Sequence, residues 1–244
     1  MNDHLHFWPR AIATFLLMSA GALVMLACAI VTLFSAPRLY RERIAAPLGR
    51  MALAIWGVRY VVHGAPAPAG TQVVYVSNHT STLDMFVLIA LALPNTRFFL
   101  SGFLRKLLPL GLIGYLIGIF WTVPQAYPER RTRIFQRAER VLRRTRESVY
   151  LSPEGERVTT GEIGRFNKGA FHLATALGAP IVPMYLCVPR ASNPGKGLHA
   201  RPGTVEVHFR APIETRAWRV EDVPLNRDRM REFYVDWHRE LREA

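Results

Sequence analysis

Residues 71–84, Thr-Gln-Val-Val-Tyr-Val-Ser-Asn-His-Thr-Ser-Thr-Leu-Asp, join an apolar β-branched run to a polar turn and an apolar segment. The run at residues 71–77 has the composition of a buried strand. Thr80, Ser81 and Thr82 are residue types that cap helices, and they directly precede Leu83. The stretch therefore predicts a strand that leads through a short turn into a helix, which is the repeating step of an α/β fold.

The five-residue spacing of His79 and Asp84 restricts how these two side chains can meet. Five residues of helix turn through about 500°, which leaves two such side chains roughly 140° apart. They can touch only if His79 lies in the turn before the helix and Asp84 lies in its first turn. Asp84 then holds one imidazole nitrogen and leaves the other free to act as a base. For this motif alone, a surface histidine beside a capping cluster is the alternative.

Apolar β-branched runs alternate with helical patterns along the rest of the chain. This alternation predicts an α/β layered fold with a largely parallel sheet. An uncharged run at residues 107–123 contains Pro109 and is interpreted as a buried helix leading into a strand, with a second membrane span as the alternative. Strands are predicted at residues 71–77, 118–123, 148–152, 181–188 and 204–209, and helices at 83–93, 104–116, 129–146, 169–177 and 227–241.

A second group of polar residues follows the predicted strand at 148–152. It comprises Pro-Glu-Gly-Glu-Arg at residues 153–157 and Phe-Asn-Lys-Gly-Ala-Phe at residues 166–171. Open α/β sheets bind ligands at the carboxyl ends of their strands. Arg157 can bind a phosphate in bidentate fashion and Lys168 can add a point charge. A solvated loop with a glycine turn is the alternative for this segment alone.

Three segments in this order give the chain a family resemblance over about residues 71–212. They are His79-x4-Asp84, the Pro-Glu-Gly-x-Arg sequence at 153–157, and the tight strand entry Gly-Ala-Pro-Ile-Val-Pro-Met at 178–184. Together they resemble the 1-acylglycerol-3-phosphate acyltransferase family, whose bacterial members also carry a hydrophobic N-terminal anchor. The resemblance implies the glycerolipid acyltransferase-like version of the layered α/β fold.

The resemblance also implies an enzyme and a role for each matching residue. His79 is expected to take the proton from the free hydroxyl of the acceptor, and Asp84 to orient and charge-stabilise His79. The hydroxyl would attack the thioester of acyl-CoA or acyl-carrier protein, with no covalent acyl-enzyme. Glu154, Gly155 and Arg157 are expected to bind the acceptor, most simply 1-acylglycerol-3-phosphate, to give phosphatidic acid. Another lysophospholipid, a lyso-aminolipid, or a non-catalytic lipid-binding protein of the same fold are the alternatives.

Independent features of the sequence agree with direct transfer, while others depart from the family pattern. The chain has no Gly-x-Ser-x-Gly elbow and no cysteine near the histidine motif. The arginine usual after the strand at 118–123 is absent, Glu156 stands where a threonine is usual, and a lysine common near residues 101–104 is missing. Candidate replacements for the missing arginine are Arg130, Arg131 and Arg133.

The N-terminal part carries 26 residues without a formal charge, at positions 11–36. As a helix this run measures roughly 39 Å, against about 30 Å for the hydrocarbon core of a bilayer. It predicts a retained membrane segment, with a signal peptide as the alternative. The positive-inside rule places the remaining chain on the cytoplasmic side. The arginines that support this are Arg38, Arg41 and Arg43.

The segment after the anchor divides the chain into two predicted units. Residues 44–61 are interpreted as an interfacial helix, with an ordinary core helix as the alternative. Residues 63–70, His-Gly-Ala-Pro-Ala-Pro-Ala-Gly, indicate a linker or turn. The predicted units are an anchor with interfacial helices at residues 1–62 and a catalytic domain at residues 63–244.

Composition limits the partners. The 244 residues carry a formal net charge of +13, and 28 of the 31 basic residues are arginine. Arginine favours anionic partners such as membrane lipids or an acidic carrier protein, although codon bias produces the same imbalance. The basic helix at 129–146 is either a solvated face or such a contact. No zinc-type spacing and no nucleic-acid signature occur, so neither a metal, another cofactor nor nucleic acid is predicted.

Overall fold

The computed structural model describes residues 3–243, which form eight α-helices and a seven-stranded sheet. The helices are α1 (Asp3–Val31), α2 (Pro37–Leu39), α3 (Ala46–Ile55), α4 (Leu83–Ala90), α5 (Leu110–Leu116), α6 (Pro128–Thr145), α7 (Gly169–Leu177) and α8 (Val223–Glu243). A π-helical segment (Tyr40–Ala45) links α2 to α3, and a 3-10 turn (Leu104–Lys106) precedes α5. The strands are β1 (Val58–His63), β2 (Val74–Ser77), β3 (Thr96–Ser101), β4 (Phe120–Thr122), β5 (Ser148–Leu151), β6 (Ile181–Cys187) and β7 (Gly203–Phe209).

The sheet has the strand order β1-β7-β6-β2-β5-β3-β4. All neighbouring pairs are parallel except β6 and β7, which are antiparallel. Strands β2 to β6 therefore end at one edge of the sheet, while β1 and β7 end at the opposite edge. This arrangement confirms the largely parallel α/β sheet, and it gathers the loops after β2 and β5 at one edge.

Helices cover both faces of the sheet, which makes a three-layer structure. Alternate residues of each strand point to opposite faces, so that Tyr75 packs with α1, α3, α4 and α5, whereas Val74 and Val76 pack with α6, α7 and α8. Both faces of the central strands are buried, which explains why β2, β5 and β6 are nearly continuous apolar runs.

Two strands and two helices differ from those expected from the sequence. Strands β1 and β3 were not predicted, and the helix expected at 44–61 ends at Ile55. Gly57 takes a positive φ of 68° after the helix, and the β-branched and aromatic residues beyond it extend into β1. The predicted boundary between residues 62 and 63 therefore falls inside a strand. Pro109 divides the helix expected at 104–116 into a 3-10 turn and α5.

Helix α3 packs one side against the neighbouring helices. This side contacts α4 and α1, and Gly49 approaches the backbone of α4 so closely that a Cβ would lie 3.1 Å from the Ala90 nitrogen. Arg50 and Met51 on the other side are exposed, so α3 is amphipathic and its position at a membrane interface stays a prediction. The inward residues are Ala46, Leu48, Gly49, Ala52 and Leu53.

Helix α1 is, within residues 3–243, the helix that is long and apolar enough to cross a membrane by length and composition. It lies against α3 and α5, and side-chain hydrogen bonds hold it at two places. The Trp56 indole donates to the Thr14 hydroxyl at 3.0 Å, and the hydroxyls of Thr32 and Tyr40 are hydrogen-bonded. The inward face repeats at helical spacing as Met18, Ala22, Met25 and Ala29.

The outward face of α1 is apolar and exposed. Large side chains there leave more than half of their surface uncovered. Exposed apolar side chains also occur on the neighbouring helix–turn region, where Leu108 is 75% and Tyr115 69% exposed. The run at 107–123 is thus a helix and a strand, as expected, but it is buried only on one side. The exposed residues of α1 are Trp8, Ile12, Phe15, Leu16, Leu23, Val24, Ile30 and Val31.

A buried ionic network ties the N-terminal helices to the sheet. Arg41, 5% exposed, donates to the carbonyl of Ile117 at 2.9 Å and to the carboxylate of Glu147, 6% exposed. Arg97 donates to the other oxygen of the same carboxylate. Burial opposes ionisation of Glu147, but the charges of Arg41 and Arg97 outweigh it and hold the pKa of this carboxyl below its usual value.

Removing the carboxylate charge from this network is expected to destabilise the fold strongly. Glu147→Gln leaves two arginines without their counter-ion, a loss that costs about 3–5 kcal/mol for a buried pair. We expect this decrease in the free energy of unfolding, measured by chemical denaturation in detergent. The control Glu139→Gln breaks the exposed pair with Arg143 and should cost less than about 1 kcal/mol. Similar losses in both variants would contradict the network's role.

Candidate active site

His79 and Asp84 meet at the junction between β2 and α4. The strand ends at Ser77 and the helix begins at Leu83, so His79 lies in the turn and Asp84 in the first helical turn. The Nδ1 atom of His79 is 2.8 Å from Oδ2 of Asp84. The structure thus contains the contact that the five-residue spacing requires.

The Asp84 carboxylate fixes the orientation of the histidine ring. It is buried, and Oδ2 also accepts the backbone N–H groups of Thr80 at 2.8 Å and Ser81 at 3.0 Å. With a carboxylate as partner, Nδ1 of His79 is the donor, so Nε2 carries the free lone pair. The His79 side chain is 29% exposed, which makes Nε2 reachable. The arrangement is that of an oriented general base.

Glu154 holds the backbone of the same turn. The side chain is 3% exposed, and its two oxygens accept the backbone N–H groups of His79 at 2.6 Å and Gly164 at 2.7 Å. The carbonyl of His79 in turn accepts the N–H of Val158 at 2.8 Å. Burial raises the pKa of Glu154 to about 7, against the opposing effect of these amides. Both carboxylate oxygens are directed to backbone amides, which gives Glu154 a positioning geometry.

The other residues predicted for acceptor binding surround this turn. Gly155 has a φ of 73°, and a Cβ there would lie 2.8 Å from Nδ2 of Asn167, so the position needs glycine. The Arg157 guanidinium donates to the Thr82 hydroxyl, which places it at the start of α4. Lys168 is exposed and lies just before α7. His79, Asp84, Glu154 and Arg157 therefore cluster, while Lys168 lies in an adjoining groove.

That groove runs between the N-terminal ends of α6 and α7 and has a volume of about 620 Å³. Gln125 and Asn167 line it and also line the neighbouring pocket that contains Glu154, so the groove adjoins the candidate catalytic turn, residues 78–82. Arg131 and Lys168 contribute its positive charge. Both helices start at the carboxyl edge of the sheet, where their N-terminal ends favour anions.

Arg131 is the α6 arginine that the structure singles out. It is half-buried, unlike the exposed Arg130 and Arg133, and its Nη1 donates to the carbonyl of Val123 at 3.0 Å. Burial lowers the pKa of Arg131 from its usual value. Val123 ends the segment after which family members usually carry an arginine. Of the three arginines predicted as replacements, Arg131 is the one that lines the groove.

A narrow apolar cavity opens beside Met85, the residue after Asp84. It lies between α1, α3, α4 and α5 and the end of the sheet. Gly114 faces it, and a Cβ there would lie 2.4 Å from the ring of Trp121. The lining side chains carry no charge; they include Met18, Leu48, Phe86, Leu100, Ile113 and Trp121.

Asn78, which the sequence analysis did not assign, anchors the turn to β6. Its side chain donates to the carbonyl of Leu186 at 3.0 Å and accepts the N–H of Leu186 at 2.8 Å. Both bonds are buried, so the turn is fixed from the side of β6 as well as from the side of Glu154. The sequence signal was the asparagine directly before the histidine, at the end of an apolar strand.

Comparison with known proteins identifies the family. A family model described as acyltransferase matches residues 59–187, slightly more than half of the chain. The chain belongs to the acyltransferase family. The matched region contains the His79-x4-Asp84 motif and the segment at residues 153–157. It also contains α6, the adjoining groove and β6.

Curated relatives carry more specific names. A 1-acyl-sn-glycerol-3-phosphate acyltransferase from Cocos nucifera is 26% identical over 190 residues, which is 77% of this chain and 60% of the relative. The beta form from Homo sapiens is 36% identical over 154 residues, covering 62% of this chain and 54% of the relative. The chain thus spans little more than half the length of these relatives.

A solved structure shows the same fold. The crystal structure of PlsC, the 1-acyl-sn-glycerophosphate acyltransferase from Thermotoga maritima, matches with a TM-score of 0.71. The match covers 96% of this chain and 98% of that one, at 20% identity. The similarity confirms the layered α/β architecture over nearly the whole chain, including the N-terminal helix.

The raised pKa of Glu154 gives a test of its burial. Between the usual value of 4.5 and about 7, folded Glu154 keeps a proton that the unfolded chain releases, so its contribution to stability falls as pH rises. Relative to Glu154→Gln, the wild type should lose roughly 2–3 kcal/mol of unfolding free energy between pH 5 and pH 8. Denaturation at both pH values measures this. The exposed Glu232→Gln should follow the wild type, and parallel curves for Glu154→Gln would contradict the prediction.

Proposed function

We propose that this protein transfers a fatty acyl group from acyl-CoA or acyl-carrier protein to the hydroxyl of 1-acylglycerol-3-phosphate, giving phosphatidic acid. The observation that carries the proposal is the partly exposed histidine whose Nδ1 is held by a buried carboxylate, with an apolar cavity and a groove lined by Arg131 and Lys168 nearby. The names of the curated relatives support the choice of acceptor.

In the proposed reaction His79 acts as general base. Its Nε2 takes the proton from the acceptor hydroxyl as the oxygen attacks the thioester carbonyl carbon. The tetrahedral intermediate collapses, the carbon–sulfur bond breaks, and the departing thiolate receives the proton from the imidazolium. Asp84 stabilises the imidazolium charge and preserves the ring orientation. Such general-base catalysis contributes about 10²–10⁴-fold, and no step requires a metal or another cofactor.

The apolar cavity is the proposed site for a fatty acyl chain. It opens beside Met85, the residue after Asp84, and is lined by uncharged side chains. Burial of a methylene group contributes about 0.8 kcal/mol, so an acyl chain gains affinity with each carbon that enters. Trp121 and Gly114 pack against each other in its wall.

The cationic groove is the proposed site for the acceptor phosphate. Arg131 supplies a guanidinium beside Val123, Lys168 supplies a second charge, and Arg157 stands at the start of α4 nearer the histidine. A half-buried guanidinium binds a phosphate more strongly than an exposed one because water screens it less. Arg131 thus binds the acceptor phosphate in place of the arginine that is absent after β4.

The position of the Glu156 carboxylate favours a second class of acceptor. It is exposed and lines the pocket next to Glu154, together with Arg165, Lys168 and Arg227. A carboxylate at this place suits an acceptor that carries an amine as well as an anionic group. A lyso-aminolipid or another lysophospholipid is therefore the second candidate acceptor.

Membrane association follows from the surface of α1. The exposed apolar face of this helix, with Leu108 and Tyr115 near it, is the proposed lipid contact, and membrane lipids are the proposed environment of the acceptor. Docking of the opposite face on α3 and α5 favours a helix lying in one leaflet beside the domain.

The arginines after α1 favour a cytoplasmic catalytic domain. The exposed arginines of α6 can meet anionic lipid or an acidic carrier protein.

Replacement of the general base tests the reaction. His79→Ala should lower the rate of acyl transfer by about 10²–10⁴-fold, measured with labelled acyl-CoA or acyl-carrier protein and a panel of lyso-lipids. The exposed His6→Ala serves as control and should retain the wild-type rate. Equal product from His79→Ala and wild type would remove His79 from the mechanism. No product from the wild type with any acceptor would favour the non-catalytic lipid-binding alternative.

Asp84→Asn separates the charge of Asp84 from its hydrogen bonds. Nδ1 of His79 and the N–H groups of Thr80 and Ser81 all contact Oδ2, so an asparagine oxygen in that place can keep the three bonds. The neutral amide no longer stabilises the imidazolium that forms when Nε2 takes the proton. We expect the rate of acyl transfer to fall by about tenfold or more at unchanged folding, measured by the same assay. Full activity of this variant would contradict the proposed role of the Asp84 charge.

Arg131→Gln tests the phosphate site. It should raise KM for 1-acylglycerol-3-phosphate by about tenfold or more, because a charge-assisted hydrogen bond is lost. Turnover of a monoacylglycerol, which has the hydroxyl but no phosphate, should change little. Arg140→Gln, exposed on the same helix, is the matched control. Equal changes for both acceptors would show that Arg131 does not bind the phosphate.

A further inference from the structure

Three potential metal ligands converge on β1 and β7, the two strands at one side of the sheet. Glu206 and His208 alternate along β7 and so point to the same face, and His63 lies beside His208 in the register of β1. Strand β6 separates β7 from β2, so the cluster lies to the side of the turn that carries His79. The three residues take no part in the proposed reaction.

The carboxylate oxygen lies from both histidine nitrogens at about the separation that a tetrahedral ion requires. Oε2 of Glu206 lies 3.2 Å from Nε2 of His208 and 3.5 Å from Nε2 of His63. All three atoms lie within 4.8 Å of one another. Two ligands bound at 2.0–2.2 Å to tetrahedral zinc are separated by about 3.3–3.5 Å. The distances to the carboxylate oxygen are therefore close to those of an assembled site.

We propose that His63, Glu206 and His208 form a binding site for a divalent transition-metal ion of the zinc class. Two imidazoles and one carboxylate are the ligand types that such ions prefer, and three protein ligands leave a fourth position for water. The imidazole rings of His63 and His208 are stacked at 4.4 Å. His63 is 47% exposed, so its ring has room to tilt toward an ion.

The charges around the cluster suit a cation. His208 is partly buried, and its Nε2 faces the Glu206 carboxylate. Arg210, the neighbouring cation on β7's continuation, is paired with Glu240 and lies over the ring of Trp237 at 4.8 Å. The Glu206 carboxylate supplies the negative charge of the site.

A bound ion would join the first strand of the sheet to its neighbour. β1 is an edge strand, and it connects the N-terminal helices to the rest of the fold. Ligands from β1 and β7 together would hold this edge, and an ion that binds only the folded state raises stability by mass action. The site is thus structural or regulatory, and its occupation is measurable without an activity assay.

The test uses the full-length, untagged protein in detergent with zinc(II) and cobalt(II) as probes. Calorimetry should give one zinc ion per chain, and cobalt(II) should show the visible absorption typical of a tetrahedral site. His63→Ala and His208→Ala should each weaken zinc binding more than about tenfold. Zinc should raise the thermal midpoint of the wild type and leave that of both variants unchanged.

Controls separate this site from binding to surface histidines in general. Glu206→Gln keeps the shape of the carboxylate side chain but removes its charge, and it should weaken binding without altering the metal-free thermal midpoint. The variant His6→Ala/His172→Ala removes two other exposed histidines and should bind as the wild type does. No zinc binding by the wild type, or binding that only this control variant reduces, would overturn the proposal.

Discussion

Two buried carboxylates determine the geometry on which the rest of this site depends. Asp84 binds the side chain of His79 and two backbone amides, and Glu154 binds the backbone of the same histidine. The polar turn between β2 and α4 is thereby fixed from both ends, although it contains no regular hydrogen-bond ladder. An exposed histidine needs such support, because an unfixed side chain loses orientation to rotamer entropy.

A buried carboxylate also connects the N-terminal helices to the sheet. One carboxylate, Glu147, binds Arg41 from the π-helical segment and Arg97 from β3. Two arginines on one carboxylate leave excess positive charge, and the carbonyls of Ile117 and Gly118 each accept one further N–H group from Arg41 and Arg97. The network lies at the amino ends of β3 and β5. The loops that carry His79 and Glu154 lie at the other edge and take no part in this network.

Much of the fold was predictable from local sequence. The run before His79 is β-branched and the following segment is apolar at helical spacing, so β2 and α4 were expected, and α7 was placed at its observed bounds. Strand β1 was missed because its residues continue a helical pattern, and only Gly57 marks the break. Strand β3 was missed because Arg97 interrupts a short apolar run. Its charge is tolerated by pairing with Glu147, a contact between residues fifty positions apart.

The site was predictable to the extent that it is local. His79 and Asp84 interact within one turn, so their spacing predicted the one arrangement in which they could meet. The task of Glu154 was not predictable, because the amides that it binds come from two other segments of chain. The same limit hid the cluster of His63 with Glu206 and His208, since β1 and β7 are joined only by the register of the sheet.

The two hydrogen-bonded attachments of α1 have a mechanical consequence. Thr14 and Thr32 lie about five helical turns apart and are bonded to Trp56 and Tyr40, so the helix and the domain move as one body. In the proposed membrane-bound arrangement, the angle of α1 to the bilayer plane is also the angle of the sheet. A thinner or thicker lipid layer would then tilt the whole molecule and change the height at which the histidine meets the headgroups.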